Sequence, residues 1–320
     1  MNARRRLAAA LLLLAGPALA ADRTGWLERM DRALAGSSYV GDFVSESAGR
    51  SQKLRILHRV EDGQVRERLI SLSGHGRELI RTGDEVVAYL PDRKLAIIEK
   101  RPGSGQLLGV LPRFAAAPAP WYEVIEEGRE AALLGPAVVV TLRPADGFRF
   151  GYRIWIDEAT GMPVRSELRD PAGRVVERMR FTSLAVGGTI PEADFEPAID
   201  PAGLRWVRQA PTPEPASVAW QAAQMPPGFR LSVNGLQAVA GTQGLVNHLV
   251  FTDGLASVSV FIHAPAPGTP PVVGSGRAGV ASAFSTVVRG HQVTAVGEVP
   301  PDTLRYIATG LQPAGSDDQP

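Results

Sequence analysis

The chain reads as a mainly β, α+β protein: a large, unclosed antiparallel β-barrel with helices inside it, followed by a smaller α+β domain. Three observations predict this. From Ser38 onward, short runs of alternating apolar and polar residues are parted by turn residues at the spacing of an all-β fold. The stretch Phe148–Ser183 is strand, turn, strand, turn, strand with little else. Beyond the Pro-rich stretch Arg208–Ala216 (RQAPTPEPA) the charged residues between Ser217 and Gln312 thin out to Arg230, Asp253, Arg277, Arg289, Glu298, Asp302 and Arg305, far below the 21% of the whole chain, so a second unit begins there.

Taken in order, residues 1–20 carry Arg4-Arg5-Arg6, an apolar run Leu7–Ala15 and Ala18-Leu19-Ala20, the layout of a secretory signal peptide with a small-residue cleavage site after Ala20. The run is shorter than the ~20 residues a bilayer span needs, so the mature protein is expected to be exported and soluble. Thr24–Gly36 reads as one amphipathic helix, with Thr24 as its N-cap, Leu27, Met30 and Leu34 on one face and Gly36 as its stop. Its apolar face predicts that it plugs or covers a sheet. Alternating runs then follow to Lys100, among them Leu54/Ile56/His58/Val60, Val65–Leu72, Leu79–Arg81, Glu85–Leu90 and Leu95–Glu99, separated by Gly-, Asp- and Pro-containing turns.

Arg101–Pro120 mixes Pro and Gly with Leu107, Leu108, Leu111 and Phe114 and leads into Trp121. A loop this apolar either packs as a short helix over the mouth of the sheet or forms part of a lipid or partner site. Trp121–Glu126 and Ala137–Arg143 resume strands. In the meander, Tyr152, Ile154 and Ile156 fall on one face and Arg153, Trp155 and Asp157 on the other, and Asp170-Pro171-Ala172-Gly173 has Pro and Gly where a type I turn wants them. Residues 22–207 therefore form the large domain, 208–216 a semi-extended linker and 217–312 the small domain. In the latter, Leu245–Phe251 and Leu255–Ile262 flank the hairpin signal Thr252-Asp253-Gly254, Ser285–Arg289 and Gln292–Glu298 flank Gly290-His291, and Pro301–Gly310 is a short helix. The tail from Pro313 to Pro320 is expected to be disordered.

Several kinds of chemistry find no support. Cysteine is absent, which excludes disulfides and thiolate nucleophiles, and a net charge of +1 offers no nucleic-acid footprint. Gly274–Gly279 matches G-x-G-x-x-G, but Pro270-Pro271 precedes it and no βαβ pattern surrounds it, so it reads as a flexible turn. His58, His75, His248, His263 and His291 lack metal spacing, and no Gly-x-Ser-x-Gly elbow or Ser-x-x-Lys pair is present. No metal, cofactor or catalytic site is expected, although two carboxylates distant in the chain could still form a glycosidase-like pair.

The residues Arg77–Val86 (RELIRTGDEV), Tyr89-Leu90-Pro91-Asp92, Gly151–Asp157 (GYRIWID) with Thr160-Gly161, and Val250–Ile262 (VFTDGLASVSVFI) together resemble the RseB/MucB family of periplasmic regulators over nearly all of the mature chain. The resemblance implies a LolA-like large domain and a smaller domain. It further implies a periplasmic protein that binds the periplasmic domain of a single-span anti-sigma factor of RseA/MucA type. Binding would shield that factor from regulated proteolysis, hold the envelope-stress sigma factor inactive, and end in response to lipid or lipopolysaccharide signals. A lipid or lipoprotein carrier of LolA type is the alternative, and a homodimer is left open. On these grounds Leu107, Leu108, Leu111, Phe114 and Trp121 are candidate acyl-chain contacts. His248, Phe251, Asp253, Val258 and Phe261 of the second domain are candidate partner contacts, with Phe251 and Phe261 as anchors unless their alternation buries them in that domain's core.

Overall fold

The computed structural model describes residues 25–74, 76–100, 107, 120–208, 220–239, 244–265, 268, 270–278 and 281–314. Leu27, Met30, Ala33 and Leu34, three and four residues apart, fall on one side of helix α1 (Gly25–Gly36) and are all buried. Twelve strands follow: β1 (Tyr39–Ser47), β2 (Arg50–Glu61), β3 (Gln64–Ser71), β4 (Glu78–Thr82), β5 (Glu85–Leu90), β6 (Leu95–Lys100), β7 (Tyr122–Ala131), β8 (Pro136–Pro144), β9 (Gly151–Asp157), β10 (Pro163–Arg169), β11 (Val175–Val186) and β12 (Arg205–Arg208). They form one sheet in the order β12-β6-β5-β4-β3-β2-β1-β11-β10-β9-β8-β7, antiparallel except where β12 joins β6 in parallel.

The two ends of this sheet do not pair with each other, so it is unclosed. It is nevertheless strongly curved. A single core gathers the apolar face of α1 with Val86 of β5, Phe43 of β1, Phe181 of β11 and Tyr122 of β7, strands from nearly the full width of the sheet. Arg29, on the flank of α1, donates to the carbonyls of Glu158 and Ala159 at 2.7 and 3.0 Å and so ties the helix to the β9–β10 turn.

Part of the outer face is also covered. Phe195 of a 3-10 turn (Glu192–Phe195) packs with Ile190 on Leu57, and Arg68 fastens that turn by donating to the Asp194 carbonyl at 2.8 Å while it holds Glu78. On β8, Val138, Val139 and Val140 are buried in succession, which is how a strand covered on both faces departs from strict alternation. His58 is an inward sheet residue, stacked on Tyr39 with ring centroids 4.7 Å apart and hydrogen-bonded through Nδ1 to Glu67 at 3.0 Å.

The second domain has its own core. Its six-stranded antiparallel sheet runs β14 (Arg230–Ala238), β15 (Leu245–Thr252), β16 (Ser257–His263), β19 (His291–Gly297), β18 (Ala281–Val288), β17 (Gly274–Ala278). Helix α2 (Pro301–Thr309) lies on β18 and β19 with Leu304, Ile307 and Ala308 inward. A short pair, β13 (Trp220–Ala222) with β20 (Leu311–Pro313), joins the beginning of this domain to its end.

Three details depart from the expectations. Gly274–Ala278 is an edge strand paired along its length with β18, because backbone pairing needs no side chain and Gly and Ser do not obstruct it. The second hairpin turns at Arg289-Gly290, both at positive φ as a two-residue type I′ turn requires, and His291 already belongs to β19. Pro313 is the last residue of β20, while residues 315–320 and the signal-peptide and linker segments at 1–20 and 209–216 lie outside the described residues.

Candidate functional site: the junction and cleft between the domains

The connection from β8 to β9 carries Asp146-Gly147-Phe148-Arg149-Phe150 against the second domain. Arg149 is completely buried. Its guanidinium lies 5.5 Å from the Trp121 ring, 5.7 Å from Tyr122 and 5.3 Å from Phe229, and it sits 3.4 Å from carboxylate oxygens of both Asp146 and Asp253. It also donates to the carbonyl of Pro227 at 2.5 Å. A buried charge is tolerated only when it is paired and surrounded by polarisable groups, and this box supplies both from two domains.

Asp253 has two roles. One oxygen accepts from the backbone N–H groups of Leu255 and Ala256 at 2.8 and 2.7 Å and shapes the β15–β16 turn. The other meets Arg149 and accepts from the Tyr122 hydroxyl at 3.3 Å. Burial, and then the charge of Asp253, push the Tyr122 phenol up, so it stays a donor. Alongside, Thr303 of α2 donates to the Phe148 carbonyl at 2.8 Å and the Phe148 ring meets Tyr306 at 5.2 Å.

Next to these contacts the two domains leave a cleft of about 790 Å³. One wall is the β10–β11 turn at Pro171 and Ala172 with Val176 of β11; the other is Gly276 and Arg277 of β17, and Pro301 at the start of α2 lines its end. Among the described residues β17 pairs on one side only, so a row of backbone donors and acceptors borders this space.

The candidate site residues separate accordingly. Phe251 and Val258 are core residues of the second domain, 3% and 0% exposed, which corrects the reading of them as partner contacts: alternation buries one face of the hairpin, and they are on it. Asp253 is spent on the turn and the junction, so it too is unavailable to a partner. His248 and Phe261 occupy the opposite face as a half-buried cross-strand stack, 4.7 Å apart and nearly parallel, where burial lowers the His248 pKa. Leu107 is buried in the large core and donates its N–H to Glu67 at 3.2 Å. Trp121 borders the domain junction, and the candidates Leu108, Leu111 and Phe114 lie outside the described residues. Sequence reasoning missed Arg149, Tyr122, Gly228 and Phe229. The one local signal was an arginine set between Phe148 and Phe150.

Among the described residues no group of three His, Asp or Glu could hold a metal ion. Comparison with known proteins is informative for both domains. The sequence model of the MucB/RseB N-terminal domain matches residues 22–199, and that of the MucB/RseB C-terminal domain matches residues 214–312. The sigma factor AlgU regulatory protein MucB of Pseudomonas aeruginosa is 33% identical over 312 residues, 94% of each chain. The sigma-E factor regulatory protein RseB of Salmonella typhimurium is 26% identical over 288 residues, 89% of each. A crystal structure of MucB in complex with MucA(peri) aligns with a TM-score of 0.73 at 30% identity, covering 91% of this chain and 99% of that one.

Proposed function

The chain belongs to the MucB/RseB family, and from that premise we propose that it is a periplasmic regulator that binds the periplasmic domain of a membrane anti-sigma factor. By covering that domain it shields it from regulated proteolysis and keeps the envelope-stress sigma factor inactive. The reading is supported by relatives named as sigma-factor regulatory proteins over almost the whole chain, and by a related structure described as a complex with the periplasmic part of MucA. The observation that carries the position of the partner is the cleft between the domains. It has room for an extended segment, its walls mix apolar and polar groups, and the one-sided strand β17 can accept an added strand.

Lipid control belongs to the same proposal. On the large sheet, Leu54, Leu69 and Leu79 flank the inner core and line a hollow of about 310 Å³. Each buried methylene of an acyl chain contributes ~0.8 kcal/mol, enough for a chain lodged there to bias the regulator between bound and released states. A carrier of LolA type would need only this sheet. The second domain, with its own core and a charged junction to the first, favours regulation.

The test is binding of the mature protein to the periplasmic domain of its anti-sigma factor, with two variants. Ala172→Trp places a large side chain in the cleft from an exposed turn and is expected to weaken binding by roughly tenfold or more, about 1.4 kcal/mol. Phe261→Ala, on the outer face of the second sheet, is expected to leave binding within twofold. The reverse pattern would move the site to the His248–Phe261 face, and no binding by the unaltered protein would end the proposal.

A further inference from the structure

The outer face of β11 leads out of the cleft between the domains. Glu177, Met179 and Phe181 are its buried, inward residues, so Val176, Arg178 and Arg180 point to the opposite, outer face in steps of two. Val176 lines the cleft and also a second hollow of about 390 Å³, whose other walls include Arg178, Glu46 and Arg50. The two spaces therefore meet at one side chain, and the stripe formed by Val176, Arg178 and Arg180 continues from them over the sheet.

Strand register places each charged residue of the stripe in a row that crosses the sheet. Arg178 stands opposite Glu167 of β10 and Glu46 of β1 and meets them at 3.1 and 3.6 Å. Its charge is answered on either side. Arg180 stands opposite Arg165 of β10 and Val44 of β1, and Val44 stands opposite Lys53 of β2, so this row holds three cations and no carboxylate. Arg165 turns along its own strand to Glu167 at 2.5 Å and lies 4.0 Å from the Trp155 ring. Arg180 and Lys53 are exposed and form no ion pair among the described residues. One row further, Asp42 answers Arg55 at 2.6 Å. Like charges directly opposite one another destabilise a sheet, and of these three rows only the middle one keeps them. Arg50 beside the second hollow and Arg277 on the far wall of the cleft are likewise exposed without a carboxylate partner among the described residues.

Taking the cleft proposed above as the partner's seat, we propose that the same segment of the anti-sigma domain leaves it in extended form along the outer face of β11 and sets an acidic side chain against Arg180 and Lys53. Two features favour a polypeptide over a small anion or a lipid surface. The stripe is continuous with the cleft through Val176. An extended chain also repeats its side chains every two residues, as β11 does, so alternate residues of the segment fall over Val176, Arg178 and Arg180. Val176 suits an apolar neighbour, and Arg178 is already neutralised by Glu167 and Glu46. The acidic residue belongs at Arg180, four residues on from Val176 and about 13 Å along the strand.

The test is binding of the mature protein to the periplasmic domain of its anti-sigma factor at low and high salt. Arg180→Glu places a carboxylate opposite Arg165 and so replaces a repulsive cross-strand pair by an attractive one. The variant is expected to unfold at a higher urea concentration than the parent while its Kd rises roughly tenfold at low ionic strength, a combination that misfolding cannot produce. The loss should shrink to within about twofold at ~1 M salt, where screening acts beyond about 3 Å. Adding Lys53→Glu, at a second exposed position, should deepen the low-salt loss. Arg32→Glu, the same charge change on the exposed side of α1, should leave Kd within about twofold. If Ala172→Trp weakens binding and Arg180→Glu does not, the cleft stands and the stripe is overturned; an equal loss in Arg32→Glu would overturn it too, as an effect of net charge. Arg180-dependent binding to phosphatidylglycerol vesicles, with the anti-sigma domain unaffected, would assign the row to a lipid surface and overturn the stripe as a polypeptide site. No binding by the unaltered protein would end the cleft and the stripe together.

Discussion

Gly228 sits under Trp121 at the domain junction with φ +82°, and a Cβ built there would lie 2.0 Å from the indole Nε1. Two penalties apply to any other residue at this position. A left-handed backbone costs an L-residue about 1–2 kcal/mol, and forcing the indole aside costs about 1–3 kcal/mol more. Gly203 separates them, since it has φ +85° with nothing within 4 Å of its Cβ position. Gly203→Ala is expected to lose only the backbone term, and Gly228→Ala to lose at least ~1 kcal/mol beyond it, read as the difference between their urea-unfolding free energies. Equal losses would mean that Trp121 yields freely. None of this was legible in the sequence, where Pro226-Pro227-Gly228 is an ordinary turn signal and Trp121 lies more than a hundred residues away.

At the scale of elements, the meander β9–β11 was the most legible part of the chain, because alternation and turn chemistry are local. Asp170 caps its turn as the residues predict, accepting from the N–H groups of Ala172 and Arg174 at 3.0 and 2.9 Å. Its second face is less exposed than alternation alone implies. Trp155 lies between the guanidiniums of Arg153 and Arg165, 4.6 and 4.0 Å from its ring, and Glu167 accepts from Arg165 and Arg169 of its own strand and from Arg178 of β11. Burial would raise the Glu167 carboxyl, but the three arginine hydrogen bonds outweigh it and hold it at about 2. With the folded value depressed, its stabilisation is present above the unfolded range near ~4.3 and fades as pH falls toward about 2. Glu167→Gln is expected to cost about 2–3 kcal/mol near neutrality after allowance for the half-exposed arginines, and less than half of that at about pH 3, by urea unfolding at both. The small domain offers the opposite lesson in β17: its Gly and Ser residues carry little strand propensity, and only the neighbouring β18 makes a strand of them.

For the whole molecule, the buried Arg149–Asp253 contact makes the junction a cooperative part of the structure. Arg149→Met keeps an apolar body in the aromatic box but leaves Asp253 buried without its counter-charge, a loss on the order of 3 kcal/mol concentrated between the domains. The expected outcome is a calorimetric trace that changes from one unfolding transition to two, with both domains still folded at low temperature; a single transition shifted as a unit would show that the domains remain coupled by other contacts. By itself the sequence determined the fold class, the inward face of α1, the order of most strands, and membership of a regulatory family through its motifs. These are written in periods of two to four residues and in short turn signals, which neighbouring residues enforce on one another. Only the tertiary structure decided that Phe251 and Val258 are core, and that Asp253 and Trp121 belong to a domain junction. Each of those facts depends on which side of a curved sheet meets a second domain, and that is set by packing between residues far apart in the chain.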